Sequence, residues 1–220
     1  MSHKQFTNLL DIRDFCVRVL QDHKDLVGPG SEFYFKNMLK FIKSKGYTKL
    51  NSVKSLEYLR NRVVYMSNRQ TYIAMVLDGT VKKNPVLIAT SFHMIKVEDN
   101  HYYVGSIKDK DTVFIIVPHF FHRFEERLKC ASLQDAIGTF MAQLLAVNHE
   151  EYKVPGSVSG EILVKLYSGV ALAHKTSLGI QGKAVIFLRT FISNEMLTPE
   201  QKALINFDGK DAEIWQQKLE

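Results

Sequence analysis

Thr112-Val113-Phe114-Ile115-Ile116-Val117 runs directly into Pro118-His119-Phe120-Phe121-His122-Arg123-Phe124-Glu125-Glu126-Arg127-Leu128. The first six residues are all β-branched or aromatic, the composition of a strand. Proline then brings a preset φ and needs no N–H partner at the first position of a helix. At about 100° per residue, Phe120, Phe121, Phe124 and Leu128 fall on one side of that helix. His119, His122, Arg123, Glu126 and Arg127 fall on the other. A buried strand thus passes into an amphipathic helix that docks by its phenylalanines.

The residues upstream read as further strands at 63–66, 71–77, 86–95 and 101–107. Asp78-Gly79 marks a hairpin, and Glu98-Asp99-Asn100 and residues 108–111 are polar turns. Adjacent strands without intervening helices imply an antiparallel sheet. Downstream, Ser132-Leu133-Gln134-Asp135 has the form of a capping box variant and opens a helix to about residue 147. Residues 148–160 read as a long loop, followed by strands at 161–167, 170–175 and 183–192. Thr198-Pro199-Glu200-Gln201 combines an N-cap, proline at N1 and glutamine at N3, and a last helix runs to Glu220.

The N-terminal residues have a different character. Leu9, Ile12, Cys16, Val19 and Leu20 form one stripe of a helix over 6–27, which Gly28-Pro29-Gly30 stops. Ser31 caps a second helix that Gly46 ends, and a third is expected over 53–61. The expected architecture is therefore α+β: a basic helical N-terminal unit (1–62) packed on a mainly antiparallel sheet with flanking helices (63–220), or one continuous domain.

Composition narrows the class. Among 220 residues, 45% are apolar and 24% charged, which fits an ordinary globular protein and excludes disordered or collagen-like chains. Two cysteines, Cys16 and Cys130, are too few for a disulfide framework or a four-cysteine zinc site, and fit a reducing, cytoplasmic setting. No apolar run approaches the roughly 18–20 residues of a membrane span, so no membrane partner is expected. The N-terminus lacks the apolar stretch of a secretory signal.

The net charge of +6 is uneven: residues 1–110 carry +8 and residues 111–220 carry −2. The excess peaks over 31–69, where nine basic residues, among them Lys36, Lys40, Lys43, Lys45, Arg60 and Arg62, accompany two acidic ones. Such a field attracts polyanions. The expected partner is nucleic acid, RNA ahead of DNA, or an acidic protein; a plain solvated helical face is the alternative.

Three chemistries fit the polar side of the 118–128 helix. The first is an exposed, ion-paired face. The second is an anion site, where Arg123 and Arg127 grip phosphate bidentately and His119 or His122 moves a proton. The third is a metal site of His119, His122 and Glu126, which the two neighbouring arginines would oppose by repelling a dication. No cofactor is expected. Arg189, on the last strand, joins the clamp if that strand lies beside the helix, and His174 is a further proton-transfer candidate or a structural histidine. Cys130 reads as a buried thiol, since no histidine and acid at recognisable spacing mark it as a nucleophile.

The spacing H-x-x-x-R-x-x-E-R, carried by His119, Arg123, Glu126 and Arg127, resembles the helix signature of RelE/BrnT-like toxin-related domains. The resemblance covers residues 112–192: a strand into a histidine-started helix, a Ser132-capped helix and closing strands ending at Arg189-Thr190-Phe191. It implies a metal-independent endoribonuclease, or a relative that has lost activity. His119 would then be the acid or base, Arg123, Arg127 and Arg189 the phosphate clamps, and Glu126 an orienting group or second proton carrier. The alternative is a non-enzymatic nucleic-acid-binding or structural protein of a phage or mobile element.

Overall fold

The computed structural model describes residues 9–22, 44, 46, 48–49, 62–66, 71–78, 86–107, 112–146, 150–157, 160–177 and 184–205. Every expected β-rich run downstream of residue 62 is a strand. Ten strands are described: β1 (Thr48–Lys49), β2 (Arg62–Met66), β3 (Thr71–Asp78), β4 (Val86–Val97), β5 (Asn100–Ile107), β6 (Thr112–Ile116), β7 (Glu151–Lys153), β8 (Glu161–Leu166), β9 (Gly169–Ser177) and β10 (Ala184–Ser193). They form one sheet in the order β1-β2-β3-β4-β5-β6-β10-β9-β8-β7.

All neighbours are antiparallel except at the centre, where β10 runs parallel to β6 with Ala184 opposite Thr112 and Leu188 opposite Ile116. Two antiparallel meanders, β1–β6 and β7–β10, are therefore joined along one parallel seam. The class is α+β, as the patterning implied. Parallel strands need a long crossover, and here it holds the helices α2 (Pro118–Leu128) and α3 (Leu133–Ala146) followed by β7, β8 and β9. Two more helices are described, α1 (Leu9–Asp22) and the short α4 (Pro199–Leu204).

The period of two along each strand sorts the side chains into two cores. Phe114, Ile116, Ile186 and Leu188 pack with α2 and α3, whereas Val113, Ile115, Val185 and Phe187 pack with Ile12, Phe15, Cys16, Val19 and Leu20 of α1. Both faces of the seam are thus covered, which is why β6 and the first half of β10 read as unbroken apolar runs. The sheet also curls. Helix α3 lies against β2, β3 and β4, yet its buried Gln143 reaches the turn between β8 and β9. There Nε2 of Gln143 donates to Ser168 Oγ (2.8 Å), and its Oε1 accepts from the Ser168 backbone N–H (3.1 Å). One helix touching strands from both meanders means that the sheet wraps around the α2–α3 hairpin.

Capping follows the sequence closely. The Asp135 N–H donates to Ser132 Oγ (3.2 Å), but the Asp135 carboxylate accepts from Ala131 N–H (3.0 Å) rather than from the cap's own amide. Thr198 and Gln201 make the full reciprocal box. Two strands were not anticipated: β1, which pairs with β2 inside the N-terminal unit expected to be helical, and β7. β7 falls in the expected 148–160 loop; Glu-Tyr-Lys carries little strand signal, and pairing with Ile162–Val164 of β8 creates it. Of the helix expected at 31–46 only Ser44, which is helical, and Gly46, at φ 72°, are described; the helix expected at 53–61 and the last helix to residue 220 lie outside the described residues.

The core around α2 is aromatic. Phe124 is fully buried, with ring centroids 4.6 Å from Phe191, 5.9 Å from Phe140 and 6.0 Å from Phe120. Replacing it with alanine leaves a cavity in a rigid cluster, so Phe124→Ala is expected to lower stability by about 3–5 kcal/mol. Urea unfolding followed by circular dichroism measures that loss directly.

Candidate functional site

Helix α2 starts where β6 ends. Val117 N–H donates to Leu188 O on β10 (3.2 Å), and Val117 O accepts from Phe120 N–H (3.0 Å), so the first turn is pinned to the seam. Pro118 occupies the helix start, and Lys129 closes the far end in the left-handed region (φ 51°). Phe120, Phe121 and Phe124 are buried, as their phase requires, while His119, His122 and Glu126 are exposed and Arg123 and Arg127 half-buried. The ring contacts settle which way each flank points. Phe121 stands edge-on to Tyr103 of β5 (4.8 Å), and Phe120 and Phe124 meet Phe191 of β10. Arg123 and Arg127, one turn apart, therefore run along the flank on the β10 side.

Along the outward ridge the polar side chains contact one another. Arg123 Nε donates to His119 Nε2 at 3.4 Å, and Arg123 Nη1 donates to Glu126 Oε2 at 2.7 Å. The Arg123 and Glu126 side chains are 41% and 64% exposed, so solvent screens their ion pair to at most about 1 kcal/mol. Arg127 differs: its Nη1 is buried without a hydrogen-bond partner. A guanidinium N–H left unpaired in the interior is costly, and swinging that side chain outward breaks no bond at Nη1.

The remaining candidates separate from this ridge. Arg189 does not join the clamp. Phe187 and its cross-strand partner His174 face the α1 side, and His174 lies opposite Glu161. Arg189 sits at the β-bulge between Leu188 and Thr190 and donates to Glu161 Oε1 (3.4 Å) on that same side. The strand does lie beside α2, as the expectation required, but the pleat turns Arg189 to the opposite face of the sheet. Lys36, Lys40, Lys43, Lys45 and Arg60 lie outside the described residues, and of Arg62 only the backbone, in β2, is described.

His174 is 4% exposed and its Nδ1 has no partner. Burial pulls its pKa below the ordinary 6.5; the Glu161 carboxylate opposes that shift and the Arg189 guanidinium adds to it. The Cys130 thiol is pushed up to about 12 by burial and by Asp135 and Glu125, and Cys16 to about 12 by burial. Neither is a thiolate nucleophile at neutral pH. Among the described residues no group of three His, Cys, Asp or Glu is placed to hold a metal ion. The trio His119, His122 and Glu126 is not gathered, because Arg123 lies between His119 and Glu126 and bonds both. Within the described residues no helix is long and apolar enough to cross a membrane.

No family model, curated protein or solved structure matches this chain.

Two outcomes follow from these environments. Arg123→Ala removes a screened surface pair and a long exposed contact to His119, so its stability should stay within about 0.5 kcal/mol of the parent in the same urea titration. His174 should make the fold acid-sensitive. Its folded pKa lies below the unfolded 6.5, so the unfolded chain binds the extra proton. The stability it contributes is complete above pH 6.5 and is lost as pH falls toward the folded value. Thermal melts of the parent should drop faster between pH 7 and 5 than those of His174→Gln.

Proposed function

We propose that this protein binds RNA, and that the outward ridge of α2 holds its phosphates. The observation that carries this reading is the arginine pair on the β10 flank. Arg123 is braced by an exposed carboxylate that a phosphate can displace and by a long contact to His119, and Arg127 carries an unpaired N–H. A guanidinium presents a planar fork that matches two phosphate oxygens, and residues one turn apart can serve one phosphate or two successive ones. A convex helix ridge suits a polymer backbone better than a small molecule, which needs a concave site.

A second reading has one specific observation in its favour: the His119 imidazole lies 3.4 Å from the guanidinium that would grip the phosphate. In metal-independent cleavage a base takes the ribose 2′-hydroxyl proton and that oxygen attacks the adjacent phosphorus. An acid then protonates the departing 5′-oxygen, with arginine stabilising the transition-state charge. On this reading His119 would pass one of those protons and Glu126, the other partner of Arg123, would carry the second.

One assay separates the readings. Fluorescence anisotropy of a labelled single-stranded RNA in EDTA should show binding that weakens steeply between 50 and 200 mM salt. Arg123→Ala and Arg127→Ala should each weaken it several-fold and reduce the salt slope by about one. Products ending in 2′,3′-cyclic phosphate, absent with His119→Ala, would establish the cleavage reading. Binding untouched by both arginine substitutions would remove α2 from the interface.

A further inference from the structure

Away from the α2 ridge, the α1 face of the sheet carries a second cluster of ionisable groups on three successive strands. Glu161 begins β8, His174 is on β9, and Arg189 stands at the bulge of β10. The Arg189–Glu161 ion pair joins strands that are not neighbours. With strands about 4.8 Å apart, it must span β9, and it crosses that strand beside His174, the residue directly opposite Glu161. The imidazole is thus sealed beneath a bridge of opposite charges.

Gly160 closes the other side. It takes φ 96°, and a Cβ there would collide with the imidazole Cε1, so bare backbone lies against the ring. The loop is fixed by Lys175 N–H donating to Gly160 O (2.7 Å). The fields that act on the ring come from Glu161 and Arg189. Lys175 projects to the other face and pairs with Glu151. The charged residues of α1 (Asp11, Arg13, Asp14, Arg18 and Asp22) are exposed.

We propose that these three residues form a proton-operated strap: when His174 gains a proton, Glu161 transfers from Arg189 to the imidazolium and Arg189 is released from β8. A buried cation must be paired, and Glu161 is the carboxylate directly across the ladder. The new charge repels Arg189 at the same moment. The existing pair is long at 3.4 Å and has side chains 48% and 34% exposed, so it is the weaker competitor. As an imidazolium both ring nitrogens of His174 are donors, and Nδ1 has no partner to give up in turning to the carboxylate. Raising the pH reverses the exchange and closes the bridge again.

The test is side-chain NMR of the full chain from pH 8 to 5, within the range where circular dichroism shows the fold intact. The Arg189 Nε–Hε and Glu161 carboxyl signals should titrate with the midpoint of His174 Cε1. Solvent exchange of the Arg189 Hε should accelerate at least several-fold across that midpoint. In His174→Gln both signals should stay flat. If that variant does not fold, Glu161→Gln serves instead: the His174 midpoint should fall and Arg189 should exchange rapidly even at pH 8. An Arg189 signal that ignores the His174 titration overturns the strap. So does a His174 midpoint unmoved by Glu161→Gln.

Discussion

The rings of Phe120, Phe121 and Phe124, wedged between α3 and the curled sheet, fix the rotational phase of α2, and much else follows from that phase. Each ring is completely buried, and full burial of such a side chain is favourable by about 1.5–3 kcal/mol. Three of them outweigh anything the ridge charges contribute, since an exposed pair such as Arg123–Glu126 is limited to about 1 kcal/mol. The helix therefore cannot roll to improve its ion pairs. Phe140 of α3 meets all three rings edge-on, so the same contact also sets how the two helices sit inside the sheet.

The sheet accommodates this hairpin because its two meanders meet at a parallel seam. A single antiparallel meander could have continued from β6 without a crossover. The chain instead leaves the sheet through α2 and α3, builds β7–β9 at the far edge and returns with β10 beside β6. Gln143 supports that detour. A fully buried amide must satisfy both its donor and its acceptor, and the Ser168 turn supplies both, tying α3 to the β8–β9 hairpin. Asn194 holds the same turn as well: its side-chain amide donates to Tyr167 O (2.8 Å) and its backbone N–H to Ser168 O (3.0 Å).

Local chemistry was legible in the sequence, and long-range pairing was not. Pro118 after a β-branched run, the phenylalanine phase of α2, Ser132 three residues before Asp135, and Thr198 with Gln201 each declare themselves within one turn of chain. The β7 strand does not, because Glu151-Tyr152-Lys153 is too short a run to declare itself, holds no β-branched residue, and acquires its conformation from Ile162–Val164. The parallel β6–β10 seam leaves a trace, the double-sided apolarity of Val113–Ile116 and Val185–Leu188, but the trace names no partner. Arg189 shows the limit most sharply. Proximity of β10 to α2 was foreseeable as a condition, yet a single bulged residue determines which face receives the guanidinium, and bulges carry no dependable sequence mark.

That bulge gives β10 two unrelated tasks. Up to Leu188 its side chains alternate between the α1 core and the α2–α3 core; at the bulge Arg189 and Thr190 fall together on the α1 side, and Phe191 returns to the rings beneath α2. Were the same sequence to run on without the bulge, Phe191 would point toward α1 and leave the space beside Phe124 unfilled. The aromatic core thus requires the bulge. The bulge in turn displaces Arg189 along the strand, toward the level where its long side chain spans β9 and meets Glu161. The ion pair over His174 is in this sense a by-product of packing Phe191.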